Sequence, residues 1–291
     1  MAKSRKYSCL SSVVKVRALN SKENKSLDIG RVIIDRYHKI YGFMILARNI
    51  PGSFYSILET FAKYKLNIIY VSTSKPTFEK YANILLYVDF TSSKVEPKNI
   101  VDELKGNANV LTIESIEPVI ESVIVDTVHF PLTIGGKRAI VLRKPVFEAL
   151  IKGFRKKFGT VSEAFLYYIG YEIGREALKS HCQILLSRNL EELVRVSEAL
   201  FKAVGWGKLK ILEYSDNDCF AIAIVEDSFE CELAGKTNKP YSQLIRGALA
   251  GWFSEMVGKK CSAEETKCIA KGDPYCEFHI KPSVISPTSF T

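Results

Sequence analysis

The sequence predicts an α+β protein of two domains preceded by a basic N-terminal extension, and three observations lead to this prediction. Its 291 residues are 47% hydrophobic and 25% charged, which is typical of a globular protein with a buried core. Residues 39–120 alternate between strand and helix patterns in the order βαββαβ. Residues 121–291 carry longer amphipathic helices and short strands. Because a chain of this length usually forms about two domains, we predict a boundary after residue 120 and an extension over residues 1–38.

The first predicted domain has a ferredoxin-like pattern. Phe54, Ile57, Leu58 and Phe61 recur at helical spacing shortly after the apolar strand Tyr41–Ala47. Similar patterns predict three further strands and a second helix: strands Leu66–Ser72, Tyr81–Phe90 and Val110–Ile116, and helix Lys98–Leu104. This order folds as a four-stranded antiparallel sheet with both helices on one face. The other face commonly pairs with a second copy, which predicts a homodimer.

The second predicted domain begins with a strand and ends with a hairpin. Ile124–Phe130 is strand-like and leads through the turn Gly135-Gly136 to helices with apolar stripes. The final segment, Lys259–Ile280, alternates like two strands joined by the turn Lys271-Gly272-Asp273-Pro274. We therefore expect the cysteines on either side of this turn to lie close together.

The formal net charge of +9 is concentrated at one end of the chain. Residues 1–26 contain seven Lys/Arg and one Glu, which predicts a solvated basic arm or, alternatively, a phosphate anchor. No helix-turn-helix, zinc-finger or Gly-rich phosphate-loop motif occurs, so we expect no sequence-specific nucleic-acid binding. The sequence has neither an apolar run of about 18 residues nor a signal-peptide pattern. It therefore predicts a cytoplasmic protein without a membrane partner.

Recognisable catalytic motifs are absent from the sequence. His38, His129, His181 and His279 are scattered, and neither a Gly-x-Ser-x-Gly elbow nor a paired-carboxylate motif occurs. We expect surface or core roles for these histidines. Because catalytic triads assemble from residues far apart in sequence, this absence lowers the expectation of enzymatic activity without removing it. No catalytic residue is predicted.

The strongest chemical signal lies in the C-terminal hairpin. Four of the seven cysteines, Cys231, Cys261, Cys268 and Cys276, lie in this part of the chain. Together with Glu265, Cys268 and Cys276 offer a carboxylate and two thiolates, which suit a tetrahedral structural zinc site. A regular strand would direct Glu265 and Cys268 to opposite faces, so the site requires a bulge or a bend. The alternatives are buried free cysteines or a disulfide.

Glycines and aromatic residues on two predicted helices indicate either close packing or a pocket. Gly247 and Gly251 lie four residues apart, and Trp252 follows them, a pattern that lets another backbone or a ligand approach closely. Tyr168 and Tyr171 lie beside two further glycines. Core packing is one interpretation of these five residues. The other is that they line a pocket for an apolar ligand.

Two short motifs make residues 39–120 resemble an ACT domain, a small regulatory module. These are Asn49-Ile50-Pro51-Gly52 between the first strand and the first helix, and Leu66-Asn67-Ile68 at the start of the second strand. The resemblance implies a dimer interface at the Pro-Gly turn and an amino acid held by Asn49, Pro51 and Gly52. Gly52 would let a carboxylate reach backbone N–H groups at the helix N-terminus. The alternative is a module that only dimerises.

Residues from about 123 to 282 resemble the 4-vinyl reductase domain family. The resemblance rests on five segments: Gly136-Lys137-Arg138 to Leu142; Leu166-Tyr167-Tyr168-Ile169-Gly170 with Gly174; Glu226-Asp227-Ser228-Phe229-Glu230; Pro240 with Gly247 and Gly251; and Glu265-x-x-Cys268 to Gly272-Asp273-x-x-Cys276-x-Phe278. It implies a dimeric α+β fold like those of trafficking-complex and nitric-oxide-signalling proteins, with a pocket for small hydrophobic molecules. Members include aromatic-sensing domains of transcription activators and an accessory protein of bacteriochlorophyll synthesis.

One position departs from the metal-binding members of this family. Their fourth ligand, a cysteine, is Ser242 here. Ser242 also suits the N-cap of the helix that follows. A zinc site would then need Cys231, Cys261 or water to complete its shell.

The sequence as a whole favours a non-catalytic sensor. An ACT-like module would bind an amino acid or dimerise, and the second domain would bind a small apolar or aromatic molecule and signal to a protein partner whose identity the sequence does not indicate. The first alternative is an enzyme or enzyme accessory acting on a vinyl-bearing or aromatic substrate, although no reductant-binding motif supports it. The second alternative is an assembly scaffold.

Overall fold

The computed structural model describes residues 26–74, 78–186, 189–215 and 217–283, which form two units. The first unit extends to Val141, and the second begins at Leu142. Residues 1–25 of the predicted basic extension lie outside the described residues. The predicted boundary after residue 120 falls inside the first unit, because the segment that follows it pairs with a strand near the start of that unit.

The first unit contains two helices and eight strands among its described residues. They are β1 Val32–Ile34, β2 Ile40–Arg48, α1 Ser53–Lys63, β3 Asn67–Thr73, β4 Tyr81–Asp89, α2 Pro97–Lys105, β5 Val110–Ile116, β6 Val123–Val125, β7 Thr133–Ile134 and β8 Lys137–Arg138. The main sheet is antiparallel, with the order β3-β4-β2-β5. This confirms the ferredoxin-like βαββαβ fold.

Both helices of the first unit contribute to one core. Ile57 and Phe61 from α1 and Ile100 and Leu104 from α2 are fully buried in one cluster with Phe43 from β2. The apolar positions predicted from helical spacing therefore point inward. Their burial, at roughly 1.5–3 kcal/mol for each large side chain, holds the helices on the sheet.

The opposite face of this sheet carries a second, smaller core. β1 and β6 form a two-stranded antiparallel ribbon, and Ile124 from β6 is buried in one cluster with Met44, Leu85 and Tyr87. The chain itself therefore covers part of the face that we expected to pair with a second copy. The predicted strand Ile124–Phe130 is also wrong in extent, since β6 ends at Val125.

The second unit combines six helices with one four-stranded sheet among its described residues. The elements are α3 Lys144–Glu148, α4 Phe154–Phe158, α5 Val161–Leu185, α6 Leu190–Ala203, β9 Lys208–Tyr214, β10 Ala221–Glu226, α7 Phe229–Ala234, α8 Gln243–Val257, β11 Cys261–Lys267 and β12 Cys276–Pro282, with a π-helical turn Ala149–Gly153 and a 3-10 turn Ile269–Lys271. The sheet is antiparallel, with the order β11-β12-β10-β9. The predicted C-terminal hairpin is therefore present.

Helices α5 and α8 pack backbone to backbone. A Cβ atom at Gly170 would lie 2.0 Å from the carbonyl oxygen of Leu244, and one at Gly174 would lie 1.9 Å from that of Ala248. The contact is mutual, because a Cβ at Gly247 or Gly251 would lie 1.9 Å from a carbonyl oxygen of α5. Only glycine fits at these four positions. This is the close packing that we had considered as one interpretation of the glycines.

The other side of α5 is apolar and exposed. Phe165, Tyr168 and Ile169 are 55%, 60% and 49% exposed, although all three side chains are large and apolar or aromatic. Helix α5 therefore has two distinct sides, one fixed against α8 and one exposed in this unit. Among the described residues, no helix is both long enough and apolar enough to cross a lipid bilayer.

Candidate metal centre

Four buried side chains of the second unit form a cluster of metal-ligating atoms. Cys231 lies on α7, Glu265 on β11, Cys268 directly after β11, and Cys276 at the start of β12. One donor atom from each lies within 4.8 Å of the other three. We call these four residues the Cys/Glu cluster. It contains all three predicted ligands and adds Cys231.

Local backbone geometry brings the hairpin ligands together. The register between β11 and β12 shifts between Glu265 and Lys267, which confirms the predicted bulge. After β11 the chain turns through Gly272, whose φ of 103° is a conformation that favours glycine. The carboxylate of Asp273 accepts a hydrogen bond from the Cys268 N–H at 2.8 Å. These features turn Cys268 towards Cys276.

Cys231 comes to the cluster from a separate helix. The hydroxyl oxygen of Ser228 caps α7 by accepting a hydrogen bond from the Cys231 N–H at 3.3 Å. The Cys231 Sγ lies 3.5 Å from that of Cys268 and 3.3 Å from that of Cys276. The other candidate, Cys261, forms a disulfide with Cys219 and is not available as a ligand.

Ser242 lies against the same thiols. Its Oγ is 3.0 Å from the Cys231 Sγ and 3.6 Å from the Cys276 Sγ. It occupies the predicted N-cap position of α8, but its side chain makes no capping hydrogen bond within the described chain. The fully buried Glu230 carboxylate performs this role, because it accepts hydrogen bonds from the N–H groups of Leu244 and Ile245, both at 3.1 Å. Glu230 is a functional residue of the site that the sequence did not single out.

The Cys/Glu cluster concentrates groups that can carry negative charge. Burial and the nearby Cys268 thiol raise the pKa of Glu265 to about 7. Hydrogen bonds from Cys268 and Cys276 lower the pKa of Cys231, and contacts with Cys231 and Cys268 raise the pKa of Cys276. Only part of the cluster is therefore ionised at neutral pH. A bound cation would stabilise the remaining charged forms.

One oxygen of Glu265 has no partner among the described residues. Its Oε2 accepts a hydrogen bond from the Ser242 N–H at 2.9 Å, whereas no described donor reaches its buried Oε1. A buried carboxylate oxygen without a partner is costly, and coordination of a cation would remove that cost. Three thiols and one carboxylate also match a tetrahedral donor set. The Cys/Glu cluster could therefore hold a metal ion.

The predicted amino-acid site belongs to the first unit. Gly52 has a φ of 85° and precedes α1, and the Asn49 amide donates a hydrogen bond to the carbonyl oxygen of Glu79 at 2.9 Å. The next residue, Ser53, is buried, and its hydroxyl has no hydrogen-bond partner in the described part of the chain. Pro51 is exposed at this turn. Amino-acid binding by Asn49, Pro51 and Gly52 stays a prediction.

The residues predicted to line an apolar pocket have different surroundings. Tyr171 and Trp252 pack in the main core of the second unit, whereas Tyr168 is exposed on α5. The indole N–H of Trp252 donates to the Nδ1 of His181 at 3.4 Å. Gly247 and Gly251 contact the backbone of α5. A ligand-binding role for these five residues stays a prediction.

Comparison with known proteins places the cluster in a known domain type. Residues 222–282 match the family model of the 4-vinyl reductase domain, and this range contains all four residues of the Cys/Glu cluster. An uncharacterized protein of Methanocaldococcus jannaschii is 29% identical over 119 residues, which cover 41% of this chain and 64% of the relative. The chain thus spans somewhat less than two thirds of that relative.

Solved structures resemble each half of the chain. The phenol-responsive sensory domain of the transcription activator PoxR, with phenol, has a TM-score of 0.47 and 21% identity, covering 52% of this chain and 79% of that domain. The ACT domain of the GTP pyrophosphokinase of Chlorobium tepidum has a TM-score of 0.23 and 17% identity, covering 27% of this chain and 99% of that domain.

Proposed function

We propose that this protein is a regulatory sensor whose second unit binds a small apolar or aromatic molecule. The observation that carries the proposal is the exposed apolar side of α5, which includes Phe165, Tyr168 and Ile169. Exposed apolar patches on folded domains mark interaction sites. Glycine packing fixes the opposite side of the same helix, so binding at the exposed side would act on a rigid element.

The second part of the proposal is a structural zinc ion in the Cys/Glu cluster. Cys231, Glu265, Cys268 and Cys276 would supply four ligands, and a closed set of four leaves no position for a substrate. The ion would join α7 to the C-terminal hairpin. The hydrogen bond from Ser242 to Glu265 would extend this connection to the start of α8.

The proposal includes a homodimer, an amino acid at the Asn49–Gly52 turn and a protein partner that receives the signal. Two observations support the first two elements. The exposed side of α5 is an apolar surface that a second copy could cover, and the Ser53 hydroxyl, unpartnered among the described residues, lies buried at the N-terminus of α1. Light scattering should give twice the 32.7 kDa mass of one chain.

Ligand binding can be tested by thermal unfolding with a panel of phenol, toluene and longer alkylbenzenes. A ligand that binds only the folded state raises the midpoint as its concentration rises. Tyr168→Ser should abolish the shift. Tyr55→Ser, which changes a tyrosine that is 69% exposed in the first unit, should leave it unchanged. If no compound of the panel stabilises the protein, the sensor proposal fails. If Tyr168→Ser yields a monomer that keeps the shift, the exposed side of α5 is a subunit interface.

The zinc site can be tested by moving one thiolate. Cys231→Ser should lower zinc content well below one per chain, and adding Ser242→Cys to it should restore binding, because the two side chains lie 3.0 Å apart and contact the same Cys276. Cys182→Ser, at a free cysteine that is not in the cluster, is the control. Equal zinc content in all variants would contradict the assignment.

A further inference from the structure

The first unit contains a cavity on the face of the sheet that faces away from the two helices. Its volume of about 620 Å³ is within the range of small-molecule sites. Met44 and Leu85 contribute apolar surface, and Ser74 and His129 contribute polar groups. The cavity lies entirely within the first unit and shares no residue with the Cys/Glu cluster.

Three residues at this cavity form a continuous chain of hydrogen bonds. The Oγ of Ser74 lies 2.6 Å from the Nε2 of His129, and the Nδ1 of His129 lies 2.8 Å from the Oδ2 of Asp126. Because the Asp126 carboxylate accepts a proton from Nδ1, Nε2 is free to accept the Ser74 hydroxyl proton. We call these three residues the Ser74 relay. Its connectivity is that of a nucleophile, a base and a group that orients the base.

The surroundings of Asp126 keep it ionised and fixed. Its side chain is 2% exposed, and its Oδ1 accepts hydrogen bonds from the N–H groups of Val128 and His129 at 3.1 and 3.0 Å. Burial alone would raise the pKa of Asp126, but the hydrogen bonds from His129 and the nearby Arg31 lower it. Arg31 also pairs with the Oδ2 of Asp126 and donates to the carbonyl oxygen of His129 at 2.8 Å. The base is therefore held by both neighbours.

Ser74 is placed where a substrate can reach it. It is exposed directly after β3, and it lines the cavity together with Asn83. Its N–H donates to the carbonyl oxygen of Asn83 at 3.1 Å, so the two residues are cross-strand neighbours whose side chains leave the sheet side by side. A side-chain amide beside a nucleophile is a suitable donor for a developing oxyanion.

We propose that the Ser74 relay hydrolyses short-chain carboxylic esters. The Ser74 oxygen attacks the ester carbonyl carbon while its proton passes to His129, and the Asn83 amide stabilises the oxyanion. The bond to the leaving oxygen then breaks, and His129 returns the proton to form the alcohol. Water, deprotonated by His129, cleaves the acyl-serine and releases the carboxylic acid. Asp126 is a positioning residue. Because Arg31 shares the charge of Asp126, we expect slow turnover.

Covalent labelling of the full chain tests the nucleophile. A fluorophosphonate probe should give one adduct, and peptide mass spectrometry should locate it at Ser74. Ser74→Ala should remove the adduct. The matched control is Ser72→Ala, because Ser72 lines the same cavity from the same strand. An adduct that is absent, or that lies elsewhere, would overturn the proposal and would assign the Ser74 relay a purely structural role.

Hydrolysis of p-nitrophenyl acetate tests the rest of the relay. Ser74→Ala and His129→Gln should each lower kcat on the order of 10²-fold, the usual contribution of a positioned base. Asp126→Asn should lower kcat and leave KM unchanged, which a loss of folding would not produce. Equal kcat for the parent and Ser74→Ala would overturn the proposal. Neither result bears on zinc or aromatic ligands, so failure here is separate from failure of the proposed sensor function.

Discussion

The Cys/Glu cluster and the Ser74 relay show two ways in which a protein can hold polar groups. In the Ser74 relay, each group has its partner, from the Ser74 hydroxyl to the Asp126 carboxylate. In the Cys/Glu cluster, three thiols crowd together, and one carboxylate oxygen has no partner among the described residues. The relay is complete with the chain's own residues, whereas the cluster has the charge and the open valence of a site that takes up a cation.

The difference extends to what each arrangement requires of its unit. The Ser74 relay joins side chains at the surface of a sheet that has its own core on the opposite face. The Cys/Glu cluster lies among buried residues of the main core of the second unit. Loss of a group from the cluster should therefore destabilise its unit, whereas loss of Ser74 should affect chemistry alone.

The largest expected effect is that of removing zinc. A strong chelator should lower the free energy of unfolding of the second unit by about 4 kcal/mol, the stabilisation that a ligand gives at a thousandfold excess over Kd. Tryptophan fluorescence during urea unfolding measures this unit alone, because Trp206 and Trp252 both lie in it. The chelator should leave fluorophosphonate labelling at Ser74 unchanged. An unaltered unfolding curve would show that the cluster is stable without metal.

A smaller loss is expected when the glycine contact between α5 and α8 is filled. Gly251→Ala would place a Cβ 1.9 Å from the carbonyl oxygen of Tyr171, so the helices must separate, at a cost of about 1–3 kcal/mol. Gly153→Ala is the matched control, because its φ of −59° is helical and a Cβ there meets no described atom within 4 Å. Urea unfolding should separate the two variants. Equal stability would mean that the helices are less closely packed than the structure shows.

A pH effect of about 1 kcal/mol should come from His181, another buried polar group of the second unit. Its Nδ1 lies 2.8 Å from the Ser197 hydroxyl and accepts the Trp252 N–H, and burial lowers its pKa. The unfolded chain therefore takes up a proton first, so stability is complete above about pH 6.5 and falls below that pH. His181→Asn, which keeps an acceptor, should reduce this loss on going from about pH 8 to about pH 5.5. The same pH dependence in both proteins would exclude His181 as its source.

The smallest effect is expected from Ser242→Cys alone. The sequence suggested that this change would complete a weak zinc site, but Cys231 already occupies the fourth place. Zinc content should stay at one per chain, since a tetrahedral ion takes four ligands. A clear rise in zinc content would show that Cys231 is not a ligand in the parent protein.

The local features of the site were predictable from the sequence. The odd spacing of Glu265 and Cys268 required a bulge, and the turn through Gly272 required a hairpin. Both follow from the backbone of a single segment. The element order of the first unit also followed from apolar periodicity, because each helix and strand shows its buried face in its own sequence.

Other predictions failed where the answer depended on distant segments. The pairing of β1 with β6 moved the domain boundary and covered a sheet face that the pattern alone left open. The absence of a catalytic motif concealed Ser74, Asp126 and His129, because 55 positions separate Ser74 from its partner His129. No local spacing reports such a contact.

The sequence by itself determined which segments become strands and helices, where the hairpin bends and which donor atoms it carries. Only the tertiary structure decided that Cys231 rather than Cys261 joins Cys268 and Cys276, and that His129 meets Ser74. The physical reason is range. Backbone preferences and periodicity act within a few residues, whereas the approach of two side chains from separate elements is set by how whole helices and sheets pack.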